Sequence, residues 1–336
     1  MIGPSSFRAE RGISRSSETM IGAVDIGGTK IAVGMVDESG RVWARTECST
    51  TAERGWPDGL ARIATMLRET AGHAGGELDG IGVGCTGPVD PMAGTIGNVE
   101  FLPGWEGADI AGELSHTFGV SVAIENDADA AALGEAMWGA GRGAQRFIYV
   151  TVGTGIGGGL VFDGQLYRGV DGAHPEIGHH VLDPAGPACF CGAHGCWESL
   201  ASGPSMARWL RDNARDGLHA LEGDARSICA AAERGDPLAQ AAVAHTGYYL
   251  GLGLANLITL FVPDVLALGG GLMRSRHLFW DTILNTIRAM CGLVPAEKVR
   301  LVSAVLGPEA GLIGAARVWL HRYGASHEAL EKPSRP

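Results

Sequence analysis

The stretch IGAVDIGGTKIAVGMV, from Ile21 to Val36, consists of two β-rich segments on either side of a glycine turn. The same pattern recurs at FIYVTV (147–152), which runs into the glycines of GTGIGGG (153–159) and then into LVF (160–162). A dinucleotide-binding unit would need a helix directly after its glycines, and neither stretch provides one. The repetition predicts two related halves, each with a hairpin whose glycine turn faces phosphate.

Length and composition favour two lobes. The chain has 336 residues, whereas single hydrophobic cores stop growing at about 250–300 residues. Hydrophobic residues make up 46% and charged residues 19%, as in a globular enzyme and unlike a disordered chain. The 53 glycines cluster in short runs beside apolar segments, which indicates close approach of the backbone to a ligand. We therefore expect the chemistry in a cleft between two lobes.

The remaining secondary structure follows from apolar periodicity, β-branched runs and cap residues. Asp58 is expected to be the N-cap of one helix, and Asn126 and Asp127 supply the cap of another. Strands are expected at 41–48, 81–87, 120–124 and 264–268. Helices are expected at 58–73, 128–138, 203–214, 224–234, from Pro237 onward and at 310–323.

Three glycine-rich segments predict a nucleoside triphosphate clamped between the lobes. Glycine N–H groups approach phosphate oxygens closely, Thr29 adds a hydroxyl, and Asp25 can hold the Mg²⁺ that neutralises the phosphates. Each segment alone is equally compatible with an ordinary tight turn. The third segment is expected to lie against the adenosine. The predicted nucleotide-binding residues are Asp25, Gly27, Gly28, Thr29, Lys30, Gly153, Thr154, Gly155, Gly157, Gly158, Gly159, Gly269, Gly270 and Gly271.

Asn126 and Asp127 lie at a strand-to-helix corner between the two hairpins. A carboxylate at this corner can accept the proton of an attacking sugar hydroxyl, while the neighbouring amide holds a second hydroxyl. A plain helix N-cap is the alternative interpretation. The phosphate-facing hairpins on either side favour Asp127 as a catalytic base.

The most specific motif begins with Glu176 and His179 and continues to CFCGAHGCWE at 189–198. One histidine and three thiolates complete a closed tetrahedral zinc site, which leaves no ligand position for a catalytic water. His180 and His194 are alternative histidine ligands. Only a distant ligand such as His179 ties Glu176 to Glu198, so that both carboxylates can bind vicinal hydroxyls in one pocket.

Charge and cysteine usage limit the partners and the compartment. The net charge of −11 repels nucleic acid and anionic lipid, so neither is an expected partner. Residues 1–19 contain no apolar segment typical of a secretory signal, and we expect a disordered extension or a start-site artefact there. Seven cysteines, three of them clustered, favour metal binding in the reducing cytoplasm over disulfides. The apolar stretch 248–262 is expected to be a buried helix and not a membrane span.

The motifs DIGGTK, CTGP, ENDA, GTGIGGG, EIGH, CxCGxxGC and LGGG follow one another in this order. In this the chain resembles the ROK family of sugar kinases, repressors and uncharacterised reading frames, from about Met20 to Tyr323. The resemblance implies an α/β, two-lobed, actin-like or hexokinase-like (ribonuclease H-like) ATPase fold with a central ligand cleft. The expected division is a first lobe at 20–127 plus 309–325, a second at 128–308 with the zinc loop 176–198, and a loose tail at 326–336.

The resemblance also implies roles for individual residues. Asp127 resembles the base, and His179 resembles both a sugar contact and a zinc ligand. The implied cofactors are ATP, Mg²⁺ and a structural Zn²⁺, and the implied assembly is a homodimer or homotetramer. The implied sugar contacts are Gly87, Asn126, Asp127, Glu176, His179 and Glu198, and the implied zinc ligands are His179, Cys189, Cys191 and Cys196.

The expected activity is ATP-dependent phosphorylation of a hexose at its C6 hydroxyl, with glucose the leading substrate and glycolysis the setting. His174-Pro175 is similar to the fructokinase branch of the family. In family members an Asn often closely precedes the pocket tryptophan, whereas here Asn98 lies further upstream of Trp105. Fructokinase and N-acetylmannosamine or N-acetylglucosamine kinase are therefore alternatives. A sugar-sensing repressor is disfavoured, since a winged helix-turn-helix takes roughly 60–80 residues and only about 20 precede the first hairpin.

Overall fold

The protein is represented by a computed structural model that describes residues 19–75, 77–97, 101–214 and 223–324. The expected extension at 1–19, apart from Thr19, and the expected tail at 326–336 lie outside these residues. So do residues 98–100, and with them Asn98.

The secondary structure consists of strands and helices in mixed order along the described chain. The strands are β1 (Met20–Ile26), β2 (Lys30–Asp37), β3 (Val42–Ser49), β4 (Gly80–Cys85), β5 (Val89–Asp90), β6 (Thr95–Ile96), β7 (Ser121–Asn126), β8 (Arg146–Val152), β9 (Ile156–Phe162), β10 (Gln165–Leu166), β11 (Val265–Gly269) and β12 (Arg300–Ser303). The α-helices are α1 (Trp56–Ala74), α2 (Ile110–Phe118), α3 (Asp127–Trp138), α4 (Trp197–Ala201), α5 (Gly203–Asn213), α6 (Ala225–Glu233), α7 (Pro237–Phe261), α8 (Trp280–Met290) and α9 (Ala310–Tyr323). Short 3₁₀ turns lie at Ala52–Arg54, Val170–Gly172, Ile177–His179, Leu272–Leu278, Ala296–Lys298 and Gly307–Glu309.

Two five-stranded sheets share one topology. The first has the order β3-β2-β1-β4-β7 and the second β10-β9-β8-β11-β12. In each sheet the first three strands pair antiparallel and the last two add in parallel. This shared order confirms the prediction of two related halves, each opened by a hairpin with a glycine turn.

Register places the ends of these strands at a common edge. Asp25 on β1 lies opposite Gly84 on β4, and Asn126 at the end of β7 lies opposite Cys85. In the second sheet Gly269 on β11 lies opposite Thr151 on β8. The glycine turns and the start of α3 therefore follow strands that end side by side.

Helices α3 and α9 pack between the two sheets. A Cβ atom on Gly314 would lie 2.3 Å from the carbonyl oxygen of Ala130, and one on Gly82 would lie 1.8 Å from that of Ala315. Only glycine permits these approaches of α9 to α3 and to β4. A hydrophobic cluster joins both sheets through these two helices, including Ala23, Ala130, Tyr149, Ala267 and Leu312.

Each half also has its own core. In the first, the rings of Trp56 and Trp105 meet edge to face with centroids 5.0 Å apart. In the second, the long helix α7 packs with α4, α5, α6 and α8 around the fully buried Trp197. The expected stretch 248–262 is thus largely part of a core helix, α7. The proposed lobe boundaries, 20–127 plus 309–325 and 128–308, stay a prediction.

Several local predictions were wrong. Helix α1 begins at Trp56 with Gly55 as its N-cap, and Asp58 lies in the first turn, 2.7 Å from both Arg54 and Arg62. Strand β9 begins at Ile156 and includes the glycines at 157–159, so the second glycine turn is only three residues long. Helices α2, α4 and α8 and the strands β5, β6, β10 and β12 were not predicted. Among the described helices, we find none with both the length and the apolar character that crossing a membrane would need.

Candidate active site

A cleft of about 700 Å³ opens where the strand ends of the two halves meet. It is lined by both glycine turns, by the start of α3 and by the cysteine loop. Its walls combine carboxylates with aromatic rings and glycine backbone. The lining residues are Gly27, Gly28, Thr29, Thr86, Gly87, Pro88, Phe101, Asn126, Asp127, Ala128, Thr151, Gly153, Thr154, Gly155, Ile156, Gly157, His174, Glu176, His179, Phe190, Cys191 and Glu198.

Asn126 and Asp127 have different positions at the start of α3, one as the helix N-cap and one with its side chain in the cleft. Asn126 is the N-cap of α3: its Oδ1 accepts from the N–H groups of Ala128 at 2.9 Å and Asp129 at 3.3 Å. Its Nδ2 donates to the carbonyl oxygen of Gly87 at 3.1 Å, which joins two predicted sugar contacts. Asp127 is therefore not required as the cap, and its carboxylate lies in the cleft at the first position of the helix.

Two neighbouring carboxylates, Asp127 in the cleft and Asp25 outside its lining, have perturbed acidity. Burial raises the pKa of Asp25 from 3.8 to about 7, the charge of Asp127 adds to this, and Lys30 opposes it. Burial also raises the pKa of Asp127, while the N–H of Ala128 and the charge of His174 act in the opposite direction. A titratable group of this kind in a cleft, as Asp127 is, is typical of a functional site.

The two glycine turns are held by short backbone bonds. The N–H of Gly27 donates to the carbonyl oxygen of Lys30 at 2.9 Å, and the Thr50 hydroxyl donates to that of Gly27 at 2.6 Å. In the second turn the N–H of Gly153 donates to the carbonyl oxygen of Gly155 at 2.9 Å. The turns face the cleft from opposite halves, as predicted.

Other predicted nucleotide-binding residues do not line the cleft. Asp25 lies behind it, against the first turn of α9, where a Cβ on Gly311 would lie 2.1 Å from the Asp25 carboxylate. The Lys30 ammonium is exposed and bonds Glu47 at 3.2 Å. Gly158 and Gly159 pack inside the second half, where added Cβ atoms would meet Tyr149 and Ala132.

The third glycine segment also packs against protein. A Cβ on Gly269 would lie 2.6 Å from the Tyr149 hydroxyl, and one on Gly270 would lie 2.3 Å from the carbonyl oxygen of Val152. A Cβ on Gly153 would lie 3.8 Å from the backbone nitrogen of Gly271, whereas a Cβ on Gly271 would meet nothing within 4 Å. Gly269 and Gly270 therefore pack against β8, Gly271 does not, and a place for adenosine against this segment stays a prediction.

The cysteine loop gathers four ligand atoms. Those of His179, Cys189, Cys191 and Cys196 all lie within 4.8 Å of one another. His179 Nδ1 lies 3.4 Å from Cys189 Sγ, and Cys191 Sγ lies 3.5 Å from Cys196 Sγ. A tetrahedral zinc with Zn–S bonds of about 2.3 Å requires sulfur separations of about 3.8 Å, so this arrangement fits the ion.

Of the two alternative histidines, neither belongs to this cluster. His180 Nδ1 bonds the carbonyl oxygen of Ile177 at 2.5 Å, and His194 pairs with Ala188 in a small antiparallel bridge of the loop. His179 lies in the 3₁₀ turn Ile177–His179, which places its ring between the thiols and the cleft.

Several residues of the cleft were missed in the sequence. Phe190, between two cysteines, meets the His179 ring edge to face with centroids 4.9 Å apart and approaches Phe101 at 6.5 Å. In the sequence, His174 stands out only as a departure from the family pattern. The other lining residues not predicted are Thr86, Pro88, Ala128, Thr151 and Ile156.

Two halves of one topology that enclose a cleft between glycine turns define the class of two-lobed, hexokinase-like ATPase folds. The model of the ROK family matches residues 21–322 of this chain. The protein belongs to the ROK family.

Known relatives agree in sequence and in structure. The glucokinase of Thermotoga maritima is 34% identical over 312 residues, which cover 90% of this chain and 97% of the relative. The crystal structure of a ROK hexokinase from Thermus thermophilus matches with a TM-score of 0.78 and 36% identity, over 89% of this chain and 97% of that one. A ROK family glucokinase from Streptomyces griseus, solved in complex with glucose and AMPPNP, matches with a TM-score of 0.73 and 33% identity, over 89% of this chain and 98% of that one.

Proposed function

We propose that this protein is an ATP-dependent hexose kinase that phosphorylates the terminal C6 hydroxyl, with glucose as its leading substrate. The observation that carries the proposal is the position of Asp127. Its carboxylate lies in one cleft with the two glycine turns and with Glu176, His179 and Glu198. The related glucokinase that binds glucose and AMPPNP supports the same pairing of ligands here.

The reaction follows from this geometry. Asp127 accepts the proton of the C6 hydroxyl while the oxygen of that hydroxyl attacks the γ-phosphorus of ATP. The bond to the β–γ bridging oxygen breaks, and ADP leaves. Holding the hydroxyl and the γ-phosphate in line supplies roughly 7–11 kcal/mol of the barrier reduction. Closure of the two halves excludes water that would otherwise accept the phosphoryl group.

The glycine turns are proposed to hold the phosphates through their N–H groups, with Thr29 and Thr154 adding hydroxyls. Mg²⁺ bound with the nucleotide would neutralise phosphate charge, and Asp25 is the proposed carboxylate partner. The sugar hydroxyls are assigned to Glu176, Glu198 and the amide of Asn126.

A structural zinc is proposed at His179, Cys189, Cys191 and Cys196. Four protein ligands leave no position for a catalytic water, so the ion would fix the loop and take no part in bond making. With Nδ1 toward the thiols, the opposite edge of the His179 ring faces the cleft and can bind a sugar hydroxyl. Thiolate ligands require a reducing compartment, and cytoplasmic localisation stays a prediction.

A coupled assay of ADP release tests the function. Glucose, fructose, mannose, N-acetylglucosamine and N-acetylmannosamine are compared with ATP as the donor, and the hexose with the highest kcat/KM is the substrate. No ADP release with any of the five would contradict the proposal. Specific binding to an operator in a gel-shift experiment would favour the alternative of a sugar-sensing regulator. Light scattering tests the predicted homodimer or homotetramer.

A further inference from the structure

A chain of four charged side chains lies behind one wall of the cleft. Asp129 on α3 is fully buried and contacts both Arg168 and His174. The same Arg168 guanidinium contacts Glu125, which directly precedes the cap residue Asn126. Two acids and two bases thus form one network, of which only His174 reaches the cleft.

The ring of His174 is fixed by this network. Its Nδ1 lies 2.6 Å from Asp129 Oδ2, and the buried carboxylate cannot move to another partner without breaking its contact with Arg168. Within the described part of the chain, Nε2 of the same ring has no hydrogen-bond partner. A ring held at one nitrogen presents the other to a ligand in a fixed direction.

The surroundings favour the charged form of the ring. Burial lowers the pKa of His174, but the hydrogen bond and charge of Asp129 and the charge of Glu176 outweigh burial, so the pKa is raised overall. As an imidazolium, His174 donates from both nitrogens. The charged groups that face it are Asp129, Glu176, Arg168, Glu125 and Asp127.

We propose, on the basis of the hexose kinase function above, that His174 is a further sugar-binding residue that selects the substrate. Held by Asp129 as an imidazolium, it donates a hydrogen bond from Nε2 to one oxygen of the bound hexose. The carboxylates of Glu176 and Glu198 only accept hydrogen bonds from the sugar. His174 adds a charged donor in a fixed position, so it distinguishes a hexose that has an oxygen at this position from one that lacks it.

Binding of sugar without nucleotide tests this role. The variants are H174A and H174Q, and the control is H277A. His277 is exposed, does not line the cleft, and its Nε2 lies 2.9 Å from Glu233 Oε1. We expect H174A to raise both the dissociation constant and KM for the sugar by about tenfold or more, since hydrogen bonds to charged groups contribute on this scale. We expect kcat to change by less than about threefold, H174Q to lie between H174A and the wild type, and H277A to match the wild type.

Deoxy sugars identify the contact. For one of the 1-, 2-, 3- or 4-deoxy analogues, the wild type should bind about tenfold more weakly than the parent sugar, and H174A should bind both with similar affinity. A purely structural role would change the affinities of all analogues equally. Unchanged affinity in H174A, or a deoxy penalty that persists in H174A at every position, overturns the inference.

The pH dependence gives a second readout. Because the imidazolium is present below the pKa of His174, its contribution to sugar affinity should be complete below that pKa and should be lost, about three- to tenfold, as pH rises through it. H174Q should lack this step. If H174A does not fold, ¹⁵N NMR of the wild-type zinc protein decides: saturating sugar should raise the pKa of His174 and shift Nε2, and no change in either overturns the inference. Hexose binding absent from the wild type overturns the proposed function as well.

Discussion

Glu198 Oε2 accepts a hydrogen bond from the backbone N–H of Ile156 at 2.8 Å. Glu198 lies in α4, two residues after the last cysteine of the loop, and Ile156 opens β9 directly after the second glycine turn. The proposed sugar pocket and the proposed phosphate turn therefore share one carboxylate.

This bond predicts that Glu198→Gln affects both substrates. The neutral amide accepts more weakly from Ile156 and from a sugar hydroxyl, so we expect KM to rise about tenfold for the sugar and about threefold for ATP. Steady-state kinetics with each substrate varied in turn measures both. Glu176→Gln is the matched control, because no bond joins Glu176 to the glycine turn among the described residues. Equal ATP kinetics in the two variants would contradict the coupling.

Asp127→Asn should remove turnover and leave sugar binding intact. The amide has a similar shape but cannot accept the hydroxyl proton, and loss of a general base lowers kcat by about 10²- to 10⁴-fold. The ADP-release assay measures kcat, and calorimetry with sugar alone measures the dissociation constant. Asp127 is not the base if the variant keeps normal activity.

Asp25→Asn should stabilise the protein at high pH. The folded-state pKa of Asp25 is raised from 3.8 to about 7 by burial first, then by the charge of Asp127. The folded state thus binds this proton more tightly, and its stability contribution is present below about pH 4 and lost as pH rises toward 7. One pKa unit corresponds to about 1.4 kcal/mol, and with discounting for partial exposure we expect a gain on the order of 2 kcal/mol at pH 8.

Urea unfolding without nucleotide measures this difference at pH 8 and at pH 4, where it should vanish. The exposed Glu106→Gln serves as the control for removal of a negative charge. A variant that is less stable than the wild type at pH 8 would show that the Asp25 carboxylate is favourably bound in the folded state.

Cys191→Ser should remove the metal and weaken sugar binding. We expect elemental analysis to find about one zinc per wild-type chain and close to none in the variant, with sugar affinity reduced by about tenfold or more. Cys291→Ser is the control, since Cys291 lies after α8 and outside the cluster. Full sugar affinity in a zinc-free Cys191 variant would separate the loop from the pocket.

Local patterns predicted much of this structure. The limits of α9, Ala310–Tyr323, match the prediction, because its apolar face and the glycine that follows are both visible in the sequence. The spacing of the cysteines and of His179 predicted the same four residues that lie together in the structure as possible metal ligands. The paired hairpins also followed from sequence, since a glycine turn between β-rich segments is a short-range signal.

The purpose of a glycine run is not visible in the sequence. At 157–159 and 269–271 contacts with phosphate and adenosine stay predictions, while added Cβ atoms on Gly158, Gly159, Gly269 and Gly270 would collide with neighbouring strands and helices. A missing side chain permits close approach of any group, and sequence alone does not tell a ligand from a protein backbone.

His174 illustrates what a linear pattern does not contain. Its partner Asp129 lies 45 residues earlier, and Arg168 reaches Asp129 across 39 residues. A single histidine has no periodicity, and its role depends on contacts that only the folded chain creates. The same holds for Phe101 and Phe190, which approach one another across the cleft.

The position of α9 has a consequence for synthesis of the protein. Strands β1 to β4 emerge from the ribosome first, but their sheet is covered by the helix that is made last among the described elements. A Cβ on Gly80 would lie 2.0 Å from the Trp319 indole nitrogen, which in turn donates to Ser121 at 2.9 Å. The contact of Trp319 with Gly80 and Ser121 cannot form until Trp319 has been translated, and by then all strands and helices of the second half have been synthesised. The half that is synthesised first is therefore expected to be the last to fold.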